Sequence, residues 1–216
     1  METIRTVTGA VELIAITPNA EELIEEAGRT CYLSFDKKGP GTAQKLIRAL
    51  IKSGHHSVLE HGYATFRIIG GSRAFTHQLV RHRLMAISQQ SQRYCNEDDF
   101  RVIIPPAIAE NPRARKIFNW TIGCSRWAYA QLQELGIRNE DARFVLPNAT
   151  ESEIVISANF RELRHIFYMR CAPAAQWEIR RIALQMLRIM KEKAPTVFED
   201  FIIDEEKGIA TTLIPS

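Results

Sequence analysis

The sequence predicts an α+β fold in one domain. Short β-branched and aromatic runs are interspersed with longer amphipathic stretches at helical spacing. The length of 216 residues suits one compact domain, and an apolar fraction of 45% suffices for a sizeable core. No repeat, low-complexity tract or linker interrupts the chain.

Each element has a local reason. Val11 to Thr17 is a short apolar run ended by Pro18, hence a strand, and Asn19 is placed to cap a helix through Leu23, Ile24 and Ala27. Gly39-Pro40-Gly41 turns the chain, and Thr42 is expected to cap a helix carrying Leu46, Ile47, Leu50 and Ile51, closed by Gly54. Tyr63 to Ile69 reads as a strand and Gly70-Gly71 as a turn. Ser72 then caps a helix to about Arg83, with Phe75 and Leu79 on one face and Arg73, His77 and Arg81 on another. From there to Tyr94 the Ser- and Gln-rich segment reads as a loop, and Arg101 to Ile104 as a strand stopped by Pro105-Pro106.

A helix is predicted from about Arg113 to Leu135, with Gly136 as its stop. Asp141 to Pro147 is irregular, Glu153 to Ser157 a strand, and Phe160 to Met169 a helix. The firmest helix spans Ala175 to Lys193, where Ile179, Ile182, Ala183, Met186 and Ile189 form an apolar stripe before Pro195.

Composition excludes several functions. A net charge of +3, from 28 basic and 25 acidic residues, is too mild for general nucleic-acid binding. Cys31, Cys95, Cys124 and Cys171 form no C-x-x-C pair or zinc knuckle, so no metal is expected. The amino-terminal Met1-Glu2-Thr3-Ile4-Arg5 lacks the apolar run of a signal peptide, and no stretch is long enough to cross a bilayer. A cytoplasmic protein with no membrane partner is expected. There is no G-x-G-x-x-G, no phosphate-cradling G-x-x-x-x-G-K-S/T, no H-E-x-x-H and no G-x-S-x-G.

Function must therefore lie in local clusters. Between Glu60 and Glu97 there is no acid and no lysine, yet five arginines: Arg67, Arg73, Arg81, Arg83 and Arg93. Guanidinium offers a planar fork that grips phosphate or carboxylate through paired hydrogen bonds. Two readings stay open. Arg81-His82-Arg83 can simply complement a helix carboxyl end, at roughly 0.3–1 kcal/mol per cation. Alternatively the arginines converge on an anion, since each hydrogen bond to a charged group contributes around 1.5–3 kcal/mol.

Further clusters carry the same choice. Asn159, Arg161, Arg164, His165, Arg170 and Gln176 form either an anion site or a solvated face paired with Glu162 or Glu178. His55, His56 and His61 are either site residues or ordinary turn and core histidines. Cys171 beside Arg170 has no paired base nearby and reads as a bystander.

Arg81-His82-Arg83, seven residues, then Ser91 resembles the signature of the flavin-dependent thymidylate synthases, a family unrelated to the synthases that use a cysteine nucleophile. Gly54-His55 through Glu60-His61 is similar to the family's His-rich stretch. Asp141 to Pro147, Asn159 to Arg170 and Ala175 to Arg180 resemble three later blocks in the family's order.

The resemblance implies one domain over residues 1–216, a mainly antiparallel sheet flanked by helices, assembled as a homotetramer with sites where subunits meet. It implies conversion of dUMP to dTMP, with 5,10-methylenetetrahydrofolate donating the one-carbon unit and NADPH reducing FAD. His55, Ser57, Arg81, His82, Arg83, Gln89, Asn159, Arg161 and His165 would bind cofactor, with His55 near flavin and folate. Gln78, Arg81, Gln89, Gln90, Ser91, Arg93, Arg143 and Arg170 would bind dUMP, with Arg93 and Arg143 on its phosphate. Arg170 would be catalytic, stabilising negative charge on the uracil ring, and Ser91 a binding hydroxyl. Gln89 stands where many members carry glutamate, His165 where asparagine is frequent, and Ala174 where some have histidine. The rival readings are a non-catalytic nucleotide- or RNA-binding module using the same arginines, and a flavin reductase without methyl transfer.

Overall fold

The computed structural model describes residues 4–214. In chain order the elements are β1 (Ala10–Ile16), α1 (Ala20–Thr30), α2 (Thr42–Lys52), β2 (Tyr63–Ser72), α3 (Arg73–Leu79), β3 (Met85–Gln89), α4 (Pro106–Ala109) and α5 (Pro112–Glu134). There follow α6 (Asn139–Ala142), β4 (Glu151–Asn159), α7 (Phe160–Arg170), α8 (Trp177–Lys193), α9 (Pro195–Phe198), β5 (Ile202–Asp204) and β6 (Ile209–Thr211). Four strands form a sheet in the order β1-β2-β4-β3, and β5 pairs with β6 antiparallel. Strands β2 and β4 are antiparallel as well: Gly62 O accepts from Phe160 N–H at 2.8 Å, and Thr150 O accepts from Arg73 N–H at 2.9 Å. The α+β class is as the sequence predicts.

The chain falls into two compact units. The first takes the described residues through Ala10 with Ile68–Val80 and Ser88–Ile154; the second holds Val11–Arg67, Arg81–Ile87 and the described residues from Val155 onward. Strands β1, β2, β3 and β4 all contribute residues to both.

In the first unit Phe100, Val102 and Ile122 are buried together, with Ile4, Phe118, Leu146 and Ala149 packed against them. Val102 bridges Thr6 and Thr150, so the strand expected at Arg101 to Ile104 reduces to one bridging residue. Asn111 caps α5 by accepting from the Arg113 and Ala114 N–H groups at 3.0 and 3.1 Å, and Pro112 fills the first helical position. Gly70-Gly71 is strand rather than the expected turn. Gly70 has φ +74, and a Cβ there would meet Val7 Cγ2 at 2.9 Å; a Cβ on Gly71 would lie 2.6 Å from the Phe75 ring. Both glycines serve close approach to neighbouring chain.

Ser72 caps α3 as predicted, its Oγ accepting from Phe75 N–H at 3.0 Å. The helix stops at Leu79, however, so Arg81-His82-Arg83 lie beyond its last turn. The presumed loop up to Tyr94 contains β3, an edge strand with its three middle residues exposed.

The second unit buries one aromatic cluster, Phe160, Phe167, Phe198 and Phe201, in edge-to-face pairs 5.7–6.2 Å apart. Gln176 caps α8, which buries Ile179, Ile182, Ala183 and Met186. Pro195 opens α9 instead of ending the chain's regular structure. Helix α2 ends in the expected way: Gly54 has φ +75, its N–H donates to Ile51 O, and the His55 N–H donates to Leu50 O at 2.8 Å. Two expected caps differ. Asn19 precedes α1 in the left-handed region (φ 47) without a side-chain cap, a conformation asparagine tolerates. Thr42 is the first residue of α2 after Gly41 at φ 74, and its hydroxyl bonds Gly39.

Candidate active site

The second unit gathers three buried or half-buried groups from the signature and α7, namely His82, Glu162 and Arg170, with the exposed His165 beside them. Arg170, last residue of α7, donates from Nε to His82 Nε2 at 2.9 Å. His82 is 6% exposed, and its Nδ1 lies 3.6 Å from Glu162 Oε1. His165, one α7 turn beyond Arg161, sets its ring edge-on to His82 with centroids 5.8 Å apart. Burial, reinforced by the charges of Arg170 and His165, holds the His82 imidazole down to about 4, so it is neutral at physiological pH. Burial likewise raises the Glu162 carboxyl. Because guanidinium only donates, Nε2 must be the bare nitrogen and Nδ1 carries the proton. The two Nη groups of Arg170 have no partner among the described residues.

Asn159 caps α7 through its Oδ1, which accepts from Glu162 N–H at 2.8 Å, and Arg161 pairs with Glu60 at 2.6 Å. Arg81 and Arg83 are exposed and have no hydrogen-bond or ion-pair partner among the described residues. His55 and Ser57 are also exposed, whereas His56 is buried with Nε2 3.3 Å from Ile51 O and is an ordinary core histidine. Arg164 leaves the anion cluster altogether: fully buried, it grips Asp200 at 2.6 and 2.8 Å and donates to Val197 O at 2.6 Å. Cys171 is sealed in, and burial pushes its thiol up to about 12, which makes it the bystander expected.

The first unit gathers a second set. The Gln89 amide nitrogen donates to the hydroxyls of Thr76 (3.0 Å) and Ser152 (3.1 Å), leaving its carbonyl oxygen presented. Gln90 is clamped to β4 through Glu153 N–H and O, and donates to Glu97 Oε1 at 3.1 Å. Ser91 Oγ accepts from Arg93 N–H at 3.2 Å. Arg93 Nε pairs with Glu140 Oε2 at 2.6 Å, and Arg143 Nε donates to Glu140 O at 3.0 Å, so both arginines converge on that residue. Among the described residues the Gln78 side chain bonds only its own helix, at Ala74 O.

Two acids escaped sequence reasoning. Glu162 follows the Asn159 cap by three residues, a capping-box spacing that was available as a signal. Glu97 sits in a Cys-Asn-Glu-Asp-Asp stretch that reads as solvated, yet it is 5% exposed. Burial, aided by Glu151 and opposed by Arg73, pushes its carboxyl up to about 7. Between the ordinary 4.5 and about 7 the folded chain therefore holds a proton that the unfolded chain lacks, and stability falls as pH rises through that window. Glu97→Gln removes this titration and should gain up to about 3 kcal/mol over the parent at pH 8 and next to nothing at pH 4, below the window. Urea denaturation at both pH values measures it; parallel stability curves would mean that Glu97 folds ionised.

Residues 12–196 match the family model described as Thymidylate synthase complementing protein. A flavin-dependent thymidylate synthase of Geobacter sulfurreducens is 42% identical over 198 residues, covering 88% of this chain and 85% of that protein. This chain belongs to the flavin-dependent thymidylate synthase family.

A further flavin-dependent thymidylate synthase, from Corynebacterium diphtheriae, is 44% identical over 200 residues, 85% of this chain and 79% of its own length. Among solved structures, the UMP/dUMP methylase PolB of Streptomyces cacaoi, bound with 5-Br dUMP, superposes with a TM-score of 0.80 at 25% identity, covering 91% of this chain and 96% of that one. The thymidylate synthase ThyX of Helicobacter pylori, with FAD and dUMP, gives 0.75 at 25% identity, covering 89% and 98%. As a flavin-dependent thymidylate synthase family member, the chain is an enzyme.

Proposed function

We propose that this chain converts dUMP to dTMP, taking the one-carbon unit from 5,10-methylenetetrahydrofolate and using FAD that NADPH reduces. The carrying observation is Arg170: anchored at Nε by a neutral buried imidazole, with both terminal nitrogens unpaired among the described residues. Such a guanidinium is held in advance for charge that develops on a bound ring oxygen, and needs no reorganisation when it does. FAD, when bound, supplies the reducing equivalents.

The donor set fits a flavin dinucleotide. Arg81 and Arg83 are exposed and unpaired among the described residues, as a pyrophosphate requires in a chain without a glycine-rich loop. Asn159, Arg161, His165, His55, Ser57 and His82 complete the proposed cofactor set, Arg161 by exchanging Glu60. For dUMP, the Gln89 carbonyl is turned out by Thr76 and Ser152 and suits the pyrimidine N–H. Gln78, Gln90, Ser91, Arg93 and Arg143 would hold the remainder, the phosphate competing with Glu140 for the two arginines.

The proposal treats residues 1–216 as one functional domain in a cytoplasmic homotetramer, with sites shared between subunits and no nucleic-acid or membrane partner. The exposed seam on α5 supports a second copy: Ile117, Trp120 and Trp127 are 67%, 72% and 68% exposed and, with Cys124, follow 3-4-3 spacing. Among the described residues no helix is long and apolar enough to cross a membrane.

The test is release of tritium from 5-tritiated dUMP, dependent on both methylenetetrahydrofolate and NADPH. NADPH oxidation without release would indicate a reductase; a colourless protein with steeply salt-dependent RNA binding would indicate the module. Arg93→Ala is expected to weaken dUMP binding by about 1.5–3 kcal/mol while flavin content stays constant. Isothermal titration reads this, and unchanged affinity removes Arg93 from the phosphate site.

A further inference from the structure

The Glu162 backbone N–H is taken by Asn159 Oδ1, and its side chain, a carboxylate on a residue 6% exposed at the start of α7, faces His82. A buried acid needs compensation. Its Oε1 lies 3.6 Å from His82 Nδ1, on the far side of the ring from Arg170. The imidazole thus lies between a group that only donates, hydrogen-bonded at Nε2, and a carboxylate oxygen that faces Nδ1 from just beyond hydrogen-bond distance. A neutral histidine so placed has one tautomer that serves both neighbours, Nδ1–H with a bare Nε2. The other tautomer would set two donors head to head at 2.9 Å, between Nε2 and Arg170 Nε.

We propose that Glu162 is a positioning residue: it holds the proton of His82 on Nδ1, and the bare Nε2 then steers the Arg170 guanidinium for the uracil ring. The inference rests on the reading of Arg170 given above. It extends the site by a carboxylate that meets the substrate only through two other side chains.

The tautomer is measured directly on the unmodified protein. In long-range proton–nitrogen spectra of histidine-labelled enzyme, His82 should show a protonated Nδ1 and a bare Nε2; an Nε2–H ring would overturn the proposal. Glu162→Ala should mix the tautomers and lower kcat by about tenfold or more, as loss of an outer-shell partner does elsewhere. Flavin content should be unaltered. Glu162→Gln, which keeps an acceptor oxygen, should restore the Nδ1–H form and most of kcat. A pure Nδ1–H ring and full kcat in Glu162→Ala would mean that Arg170 alone sets the tautomer, and would sink the idea even where the variant is less stable. Failure of the underlying reading looks different: Arg170→Lys would keep its turnover while the His82 tautomer still depended on Glu162.

Discussion

Arg170→Lys is expected to lower kcat by about 10²–10³-fold, equivalent to roughly 3–4 kcal/mol of transition-state stabilisation, with little change in melting temperature. The arginine does two jobs at once. Its Nε satisfies His82 at 2.9 Å while the two Nη groups, without a partner among the described residues, are in the proposed role left for substrate. An ammonium is a single point: bonded to His82 it falls short of the ring, and directed at the ring it leaves a buried imidazole unsatisfied. Folding depends less on the fork, because Arg170 is the half-buried terminal residue of α7. Single-turnover rates and thermal melts on the same preparations separate the two quantities. Comparable losses in both would mark Arg170 as structural.

Asp200→Ala should be the most destabilising of the changes considered, at about 3–5 kcal/mol, or a fall of roughly 6–20 °C in melting temperature. Arg164 is fully buried, and Asp200 accepts from both of its terminal nitrogens at 2.6 and 2.8 Å. The Phe201 ring lies beneath the guanidinium, 5.0 Å from the centroid, and offers only partial recompense. Burial pushes the Asp200 carboxyl up, but hydrogen bonds from Arg164 and Thr212 outweigh it and leave the group below the ordinary carboxylate range. Removing Asp200 strands a cation in the core. The double variant Arg164→Met with Asp200→Leu should recover most of the loss, since an apolar pair of similar volume replaces a buried ion pair at little cost. A single variant as stable as the parent would show that water reaches Arg164.

Helices α5, α7 and α8 were legible from their apolar residues and, for α5, from Gly136 as a stop; their caps Asn111, Asn159 and Gln176 emerge from the structure, each next to an expected boundary. The edge strand β3 was not. Met85-Ala86-Ile87-Ser88-Gln89 has one β-branched residue and three exposed middle positions, so no alternation marks it. Gly70-Gly71 looked like a turn because nothing local distinguishes glycine needed for a reversal from glycine needed for contact with Val7 and Phe75. Strands β5 and β6, three residues each, are too short to show a period.

The site was legible by composition and opaque by partnership. The sequence marks Arg81, Arg83, Arg93, Arg161, Arg164 and Arg170 alike, but tertiary neighbours sort them. Arg164 has the half-buried Asp200 36 residues away, Arg161 has Glu60 at a separation of 101, and Arg81 and Arg83 have no partner among the described residues. The roles of Glu97 and Glu162 depend on burial, which follows from packing and not from spacing along the chain.

Cys171 directly follows Arg170 and is wholly enclosed, its sulfhydryl kept protonated far above cellular pH. Electrophiles such as maleimides, which need a thiolate in the open, will find Cys31, Cys95 and Cys124 on the surface and leave the residue beside Arg170 untouched. With Cys95, whose N–H donates to Ser91 O, and Cys124 replaced, a dye attached to Cys31 can therefore report on this molecule without altering the neighbourhood where its chemistry is proposed.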